Sequence, residues 1–154
     1  MKAERMNDVR ETTERNKRVV ESYFQALDGS DVSALPALFS ADCLIHRPGL
    51  TEPLKGLEGI GSVVAGVARR YRKFETEIVS ILVDGDMVAC RLTHRVEFSA
   101  SWSTRLGKFD VSGRSIVWHP IVLFRLSDGR IVEQWVCRDE LGMLIDLGIL
   151  KAAM

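Results

Sequence analysis

The sequence predicts an α+β domain in which helices from the first half pack on one face of an antiparallel sheet built from the second half. Three observations carry this. Apolar residues recur at helical spacing in two stretches before residue 72, and from Phe74 onward the period switches to two. The alternating runs are joined by Asp84-Gly85-Asp86 and by Ser127-Asp128-Gly129-Arg130, both favoured hairpin turns.

Residues 1 to about 8 read as a flexible lead-in, and residues 9–150 as the folded part of one domain spanning 1–154. Val19, Val20, Tyr23, Phe24 and Leu27 form one apolar stripe, which Gly29-Ser30 terminates, so the first helix ends there. Asp31 or Ser33 can cap a short second helix, with Pro36 tolerated in its first turn and Leu35, Leu38 and Phe39 facing inward. Ala41 to Pro48 reads as a short strand closed by a Pro/Gly loop. Gly56 to Tyr71 carries Leu57, Ile60, Val63, Val64 and Val67 at helical spacing. Its internal glycines cost about 1 kcal/mol each relative to alanine, so their presence points to close packing or to room for a ligand. Phe74–Val83 and Met87–Phe98 are two long strands, followed by a third strand over Phe109–Arg125 and a fourth over Arg130–Arg138. Asp139 stands where a helix N-cap belongs, ahead of a final short helix.

Composition sets limits on function. The chain has 154 residues, enough to bury roughly 70% of its unfolded surface without disulfide or metal staples. Its 21 Lys and Arg balance 21 Asp and Glu, which leaves no basic footprint for nucleic acid. No apolar run approaches membrane-spanning length and the N-terminus is too polar for a signal peptide, so no membrane partner and a cytoplasmic location are expected. Cys43, Cys90 and Cys137 are odd in number and set among apolar neighbours, which suits buried, reduced thiols. There is no Walker loop, GxGxxG, GxSxG, HExxH or paired CxxC, and His46, His94 and His119 are not at metal-ligand spacing. No cofactor and no metal are expected.

In order along the chain, AsnLysArgValValGluSerTyrPhe (16–24), LeuPheSerAlaAspCysLeuIleHis (38–46), AspGlyAspMetValAlaCysArgLeuThr (84–93), PheArgLeuSerAspGlyArgIleValGluGlnTrp (124–135) and AspGluLeuGlyMetLeuIleAspLeuGly (139–148) resemble the SnoaL-like polyketide cyclases of the nuclear transport factor 2-like superfamily. The resemblance runs from about Asn16 to Leu150. It implies a bent sheet wrapped around helices into a cone, an apolar internal pocket for a small molecule, and a homodimer formed through the sheet. In that family the acid/base carboxylate lies on the last strand, two positions before the residue matching Arg138; here that position is Val136, which moves no proton. ThrHisArgValGluPhe (93–98) is also similar to the limonene-type epoxide hydrolases, with Arg95 and Glu97 matching two parts of an Asp-Arg-Asp set and the third falling again on Val136.

Arg91, Thr93, Arg95 and Glu97 share one face of their strand. If that face lines the cone, Arg95 and Glu97 form an acid/base pair or a polar anchor; if not, they form a structural charge ladder. His46 closes the first strand at the expected pocket mouth and suits general acid/base work near neutral pH, or else is structural. The catalytic expectation is therefore His46, Arg95 and Glu97. Trp118, Pro120, Val122 and Phe124 alternate on one face and Gln134, Val136 and Arg138 on the next strand, so Trp118, Val122, Phe124, Gln134, Val136 and Arg138 are the expected substrate-binding wall, or simply core. Trp135 then faces outward, His119 lies on the outer sheet surface, and Asp139 is a cap rather than a catalytic acid. The expected activity is cofactor-free acid/base chemistry of the cyclase, isomerase, dehydratase or hydrolase kind on a small, largely apolar oxygenated molecule. Ligand binding without catalysis on the same cone is the alternative.

Overall fold

The computed structural model describes residues 1–153. Helix α1 (Lys2–Asp28) buries Val20, Tyr23, Phe24 and Leu27, the stripe that the periodicity marks. It starts at Lys2, so the stretch expected to be a lead-in is helical although residues 1–11 are all exposed. No glycine or proline interrupts residues 1–28, and each added residue extends the helix at little cost once nucleated. A 3₁₀ turn (Val32–Ala34) follows, capped by Asp31, whose Oδ1 accepts the Ser33 N–H at 3.1 Å. The short α2 (Leu35–Leu38) carries Pro36 in its first turn.

Next come β1 (Phe39–His46), β2 (Leu54–Lys55) and α3 (Gly56–Arg70), which buries Ile60, Val63, Val64 and Val67. The hairpin of β3 (Tyr71–Asp84) and β4 (Met87–Phe98) turns at Gly85, with φ +58. The expected third strand is cut into β6 (Gly107–Asp110), β7 (Ser115–Trp118) and β8 (Ile121–Ser127), and β6 pairs with β5 (Ser101–Thr104) as a separate small hairpin. Pro120 accounts for the break between β7 and β8, since it has no N–H for the ladder. β8 meets β9 (Arg130–Cys137) through Asp128 and Gly129, both at positive φ as a two-residue hairpin loop requires. Asp139 caps α4 (Glu140–Asp146), its Oδ1 accepting the Gly142 N–H at 2.8 Å.

The main sheet runs β2-β1-β9-β8-β4-β3, with β7 beside β4. It is curved and unclosed, and the N-terminal helices lie in its concavity. One pairing departs from the antiparallel expectation. β1 runs parallel to β9, with Leu44 opposite Glu133 and His46 opposite Trp135. Most of the chain lies between those two strands, so no hairpin dictates their direction. One apolar cluster joins α1, α3 and the sheet; a second, including Phe98, Trp102, Trp118, Met143 and Leu147, closes the far end under α4. Tyr71 and Phe74 pack against both clusters. Cys43 and Cys90 are buried, but Cys137 is exposed, because Val136 and Arg138 take the inward positions of β9. Among the described residues, no helix is long and apolar enough to cross a membrane.

Phe124 is fully buried with ring centroids 5.8 Å from both Tyr23 and Phe24. Phe124→Ala is expected to lower unfolding free energy by about 3–5 kcal/mol, as measured by urea denaturation.

Candidate functional site

Alternation along β4 decides what enters the concavity. Val88, Cys90, Leu92, His94, Val96 and Phe98 are buried on one face, while Arg91 and Arg95 on the other are exposed. His94 is thus the polar member of an otherwise apolar inner row. Its ring lies between Phe74 and Trp118, with centroids 4.8 and 5.7 Å away. Directly opposite on β3 stands Thr76, whose Oγ1 lies 3.0 Å from His94 Nδ1. The same hydroxyl donates to Asp28 Oδ1 at 2.6 Å, and the Thr76 backbone N–H donates to Asp28 Oδ2 at 2.9 Å.

This chain fixes the histidine tautomer. The Thr76 proton is committed to the Asp28 carboxylate, so Thr76 Oγ1 can only accept from the ring. Nδ1 therefore carries the hydrogen and Nε2 keeps a free lone pair. His94 lines the internal hollow with Nδ1 turned to Thr76, which leaves Nε2 as the nitrogen available to a ligand. Burial, reinforced by the charges of Arg138 and Arg47, pushes the imidazole pKa down to about 3, so the ring is neutral at physiological pH. Burial also raises the Asp28 carboxyl above its ordinary value, against the opposing bonds from Thr76.

The hollow has a volume of about 50 Å³. Tyr23, Phe24 and Leu27 of α1 form its floor, Val63 and Val67 of α3 one side, and Trp118, Pro120, Val122, Gln134 and Val136 the sheet wall. Arg47, Val63, Arg70, Tyr71 and Arg138 also border an outer compartment of about 430 Å³ beneath Trp102 and Arg105. The inner compartment alone is smaller than typical binding pockets.

Three guanidinium groups stand at the junction, and no carboxylate lines the inner hollow. Arg138 donates to Glu140 at 3.2 Å, while its Nε is buried without a partner. Arg70 folds back over Gly66 so that its Nε donates to the Gly66 carbonyl at 3.2 Å. Among the described residues Arg47 makes no ion pair and no side-chain hydrogen bond, and burial together with the charge of Arg138 lowers its pKa to about 10. Burial pushes Glu140 up, but the bonds from Arg105 and Arg138 outweigh this and hold it below the usual carboxylate range. Gln134 is fully buried, and neither its amide oxygen nor its nitrogen has a full hydrogen bond. Tyr23 lies near enough for that amide to oppose the rise that burial imposes on the phenol.

A family model for the SnoaL-like domain matches residues 20–134. The chain belongs to the SnoaL-like family. No curated protein matches it. Among solved structures, it is similar to IdmH from Streptomyces antibioticus, proposed to be a polyketide cyclase, at 26% identity over 86% of this chain and 98% of that one, with a TM-score of 0.73. It is similar to TsrD from Streptomyces laurentii at 22% identity, 88% and 96% coverage and a TM-score of 0.74. An LEH-like epoxide hydrolase of M. tuberculosis shares 20% identity over 89% and 92%, with a TM-score of 0.69. The last two likenesses establish the fold alone.

Within this SnoaL-like domain, five of the six residues expected on the binding wall line the hollow: Trp118, Val122, Gln134, Val136 and Arg138. Phe124 faces the same way but lies deeper, under the floor against Tyr23 and Phe24. The three residues expected to be catalytic do not converge there. Arg95 is on the outer face, bonded to Glu77 at 2.9 Å, and Glu97 pairs with Arg72 on the same face. They form the ladder that sequence parity left open. His46 also faces outward, its Nε2 2.7 Å from Glu133 and its ring stacked on Trp135. Buried Cys43 and Ile45 take the inward positions of β1, and the next inward side chain is Arg47. With Arg95 and Glu97 outside, the epoxide-hydrolase match has no counterpart in the hollow. Trp135 faces outward as expected, and His119 pairs with Thr93 at 3.1 Å. Asp139 is the expected cap. Among the described residues no group of His, Cys, Asp and Glu could hold a metal ion.

The depressed His94 pKa makes stability depend on pH with a definite sign. The unfolded imidazole, near 6.5, binds a proton that the folded one, near 3, does not, so the contribution is full above about pH 6.5 and is lost as pH falls toward 3. Urea denaturation between pH 4 and 8 is expected to show a steeper acid-side loss in the wild type than in His94→Gln.

Proposed function

We propose that this SnoaL-like protein is a cofactor-free acid/base enzyme of the cyclase or isomerase kind, acting in the cytoplasm on a small, largely apolar molecule with a carbonyl group. His94 Nε2 removes a proton from the carbon beside the carbonyl. The C–H bond breaks, the proton passes to Nε2, and the electron pair moves onto the carbonyl oxygen as an enolate. The guanidinium of Arg47 or Arg138 stabilises that oxygen. In a cyclisation the enolate carbon then attacks a second carbonyl of the same molecule, and the imidazolium returns its proton to the resulting alkoxide. Tyr71, Phe74 and Trp118 hold the apolar body. The Thr76–Asp28 pair keeps the base in its working tautomer and offsets the imidazolium charge as it forms.

The observation that carries this reading is the Asp28–Thr76–His94 chain ending in an aromatic hollow without carboxylates. It supplies a base where Val136 has replaced the family's acidic position. Ligand carriage without chemistry has one observation in its favour, namely that same Val136 in the wall. Pairing of two copies through the outer sheet face is part of the proposal, supported by the exposure of Val117 and Ile121 there.

Two measurements apply. With 2-tetralone in D₂O, followed by ¹H NMR, His94→Gln is expected to cut the protein-dependent exchange of the α-protons by roughly 10²–10⁴-fold while Glu97→Gln leaves it unchanged. Equal exchange with wild type and His94→Gln, or a retained ligand recovered chemically unaltered, would remove the catalytic reading. Analytical ultracentrifugation is expected to give twice the chain mass; a monomer would remove the pairing.

A further inference from the structure

Charge in the hollow is one-sided. Arg47, Arg70 and Arg138 meet where the inner and outer compartments join, and the carboxylate at that junction, Glu140, is already shared between Arg105 and Arg138. Arg47 is left without a partner, and Arg138 Nε is buried and unbonded. Beside them the Gln134 amide is fully buried next to the Tyr23 phenol, with no full hydrogen bond to either polar atom. A guanidinium taken out of water is disfavoured unless paired, and an incompletely bonded buried amide is disfavoured too, though less than a charge. A fold that keeps three such groups around one small space is arranged for something that satisfies them together.

We propose that the hollow binds its ligand by a carboxylate, held by the forks of Arg47 and Arg138 at the junction of the two compartments, with an aromatic or alkenyl body extending from it. This rests on the proposed site but concerns what that site recognises. A planar carboxylate matches a guanidinium fork with two parallel bonds. The inner space is small and bounded by Tyr71 and Trp118, which suits a flat monoanion better than a tetrahedral dianion. Gln134 then meets a second oxygen function on the ligand.

Occupancy has a consequence for the base. His94 is held neutral partly by the charges of Arg138 and Arg47, and a base so depressed is a poor proton acceptor. A bound carboxylate cancels part of that field, so the imidazole is a stronger base toward an acidic ligand than toward a neutral one.

Calorimetric titration with 2-naphthoate, its neutral isostere 2-naphthamide and 2-naphthyl phosphate tests this on the wild-type chain alone. The carboxylate is expected to bind roughly 10- to 100-fold more tightly than the amide. Equal affinity for acid and amide, or tighter binding of the phosphate, would overturn the proposal. Arg47→Met is expected to abolish the preference for the acid while melting no lower than wild type, since Arg47 is half-buried and has no ion-pair partner to lose. Arg125→Gln, on the outer face, is expected to keep the preference. A preference that survives Arg47→Met and Arg138→Gln alike would overturn the assignment. His94→Gln should still bind naphthoate, which separates the two readings. Binding without His94-dependent exchange defeats the enzyme and spares the carboxylate site; exchange without acid preference does the reverse.

Discussion

The two-residue period of β4 is the constraint on which the rest of the structure depends. Its pairing with β3 from Tyr71–Phe98 to Asp84–Met87 pins which side chains turn inward, and a shift of one residue would exchange the entire set. With Val88, Cys90 and Leu92 committed to the core, His94 must enter the hollow and Arg95 must leave it. The same pairing sets Thr76 across from His94, and α1 brings Asp28 to Thr76 from the other side. A helix end, a strand and its neighbour thus combine to orient one imidazole.

Electrostatics and packing pull against each other around that ring. Aromatic neighbours and the helical floor exclude water, which disfavours charge on His94, and the nearby guanidiniums disfavour it further. The arginines are themselves poorly compensated, Arg47 most of all. Such a site lowers the stability of the fold and is tolerable because two extensive apolar clusters flank it. The outer face handles charge in the opposite way. Arg95–Glu77 and Arg72–Glu97 are paired at or near the surface, where ion pairs contribute little and serve mainly to keep the sheet face ordered.

Much of the fold could be read from the sequence because its signals are local. The stripe from Val19 to Leu27, the two hairpin turns and the Asp139 cap each specify an element without reference to distant residues. The parallel pairing of β1 with β9 could not be read this way, because it joins strands far apart in the chain. Among site residues, the wall from Trp118 to Arg138 was legible because apolar alternation there points one way. The chemistry of His46, Arg95 and Glu97 suits a catalytic site, but parity within their own strands places them outside. The run Val88, Cys90, Leu92 was the available signal for His94, and Cys43, Ile45 was the signal for Arg47. Thr76 and Asp28 had no such signal, because their importance comes from a contact spanning 48 residues.

The family match accounts for the curved sheet and the helices against it but not for chemistry, since one fold hosts many activities. What the hollow holds is an imidazole oriented by hydrogen bonding and kept neutral by its surroundings. The most direct test is long-range ¹H–¹⁵N correlation NMR of the His94 ring in the free protein at pH 5–8. The structure predicts a neutral imidazole throughout, with hydrogen on Nδ1 and an unprotonated Nε2. A ring that is doubly protonated near pH 6, or that carries its hydrogen on Nε2, would contradict the account.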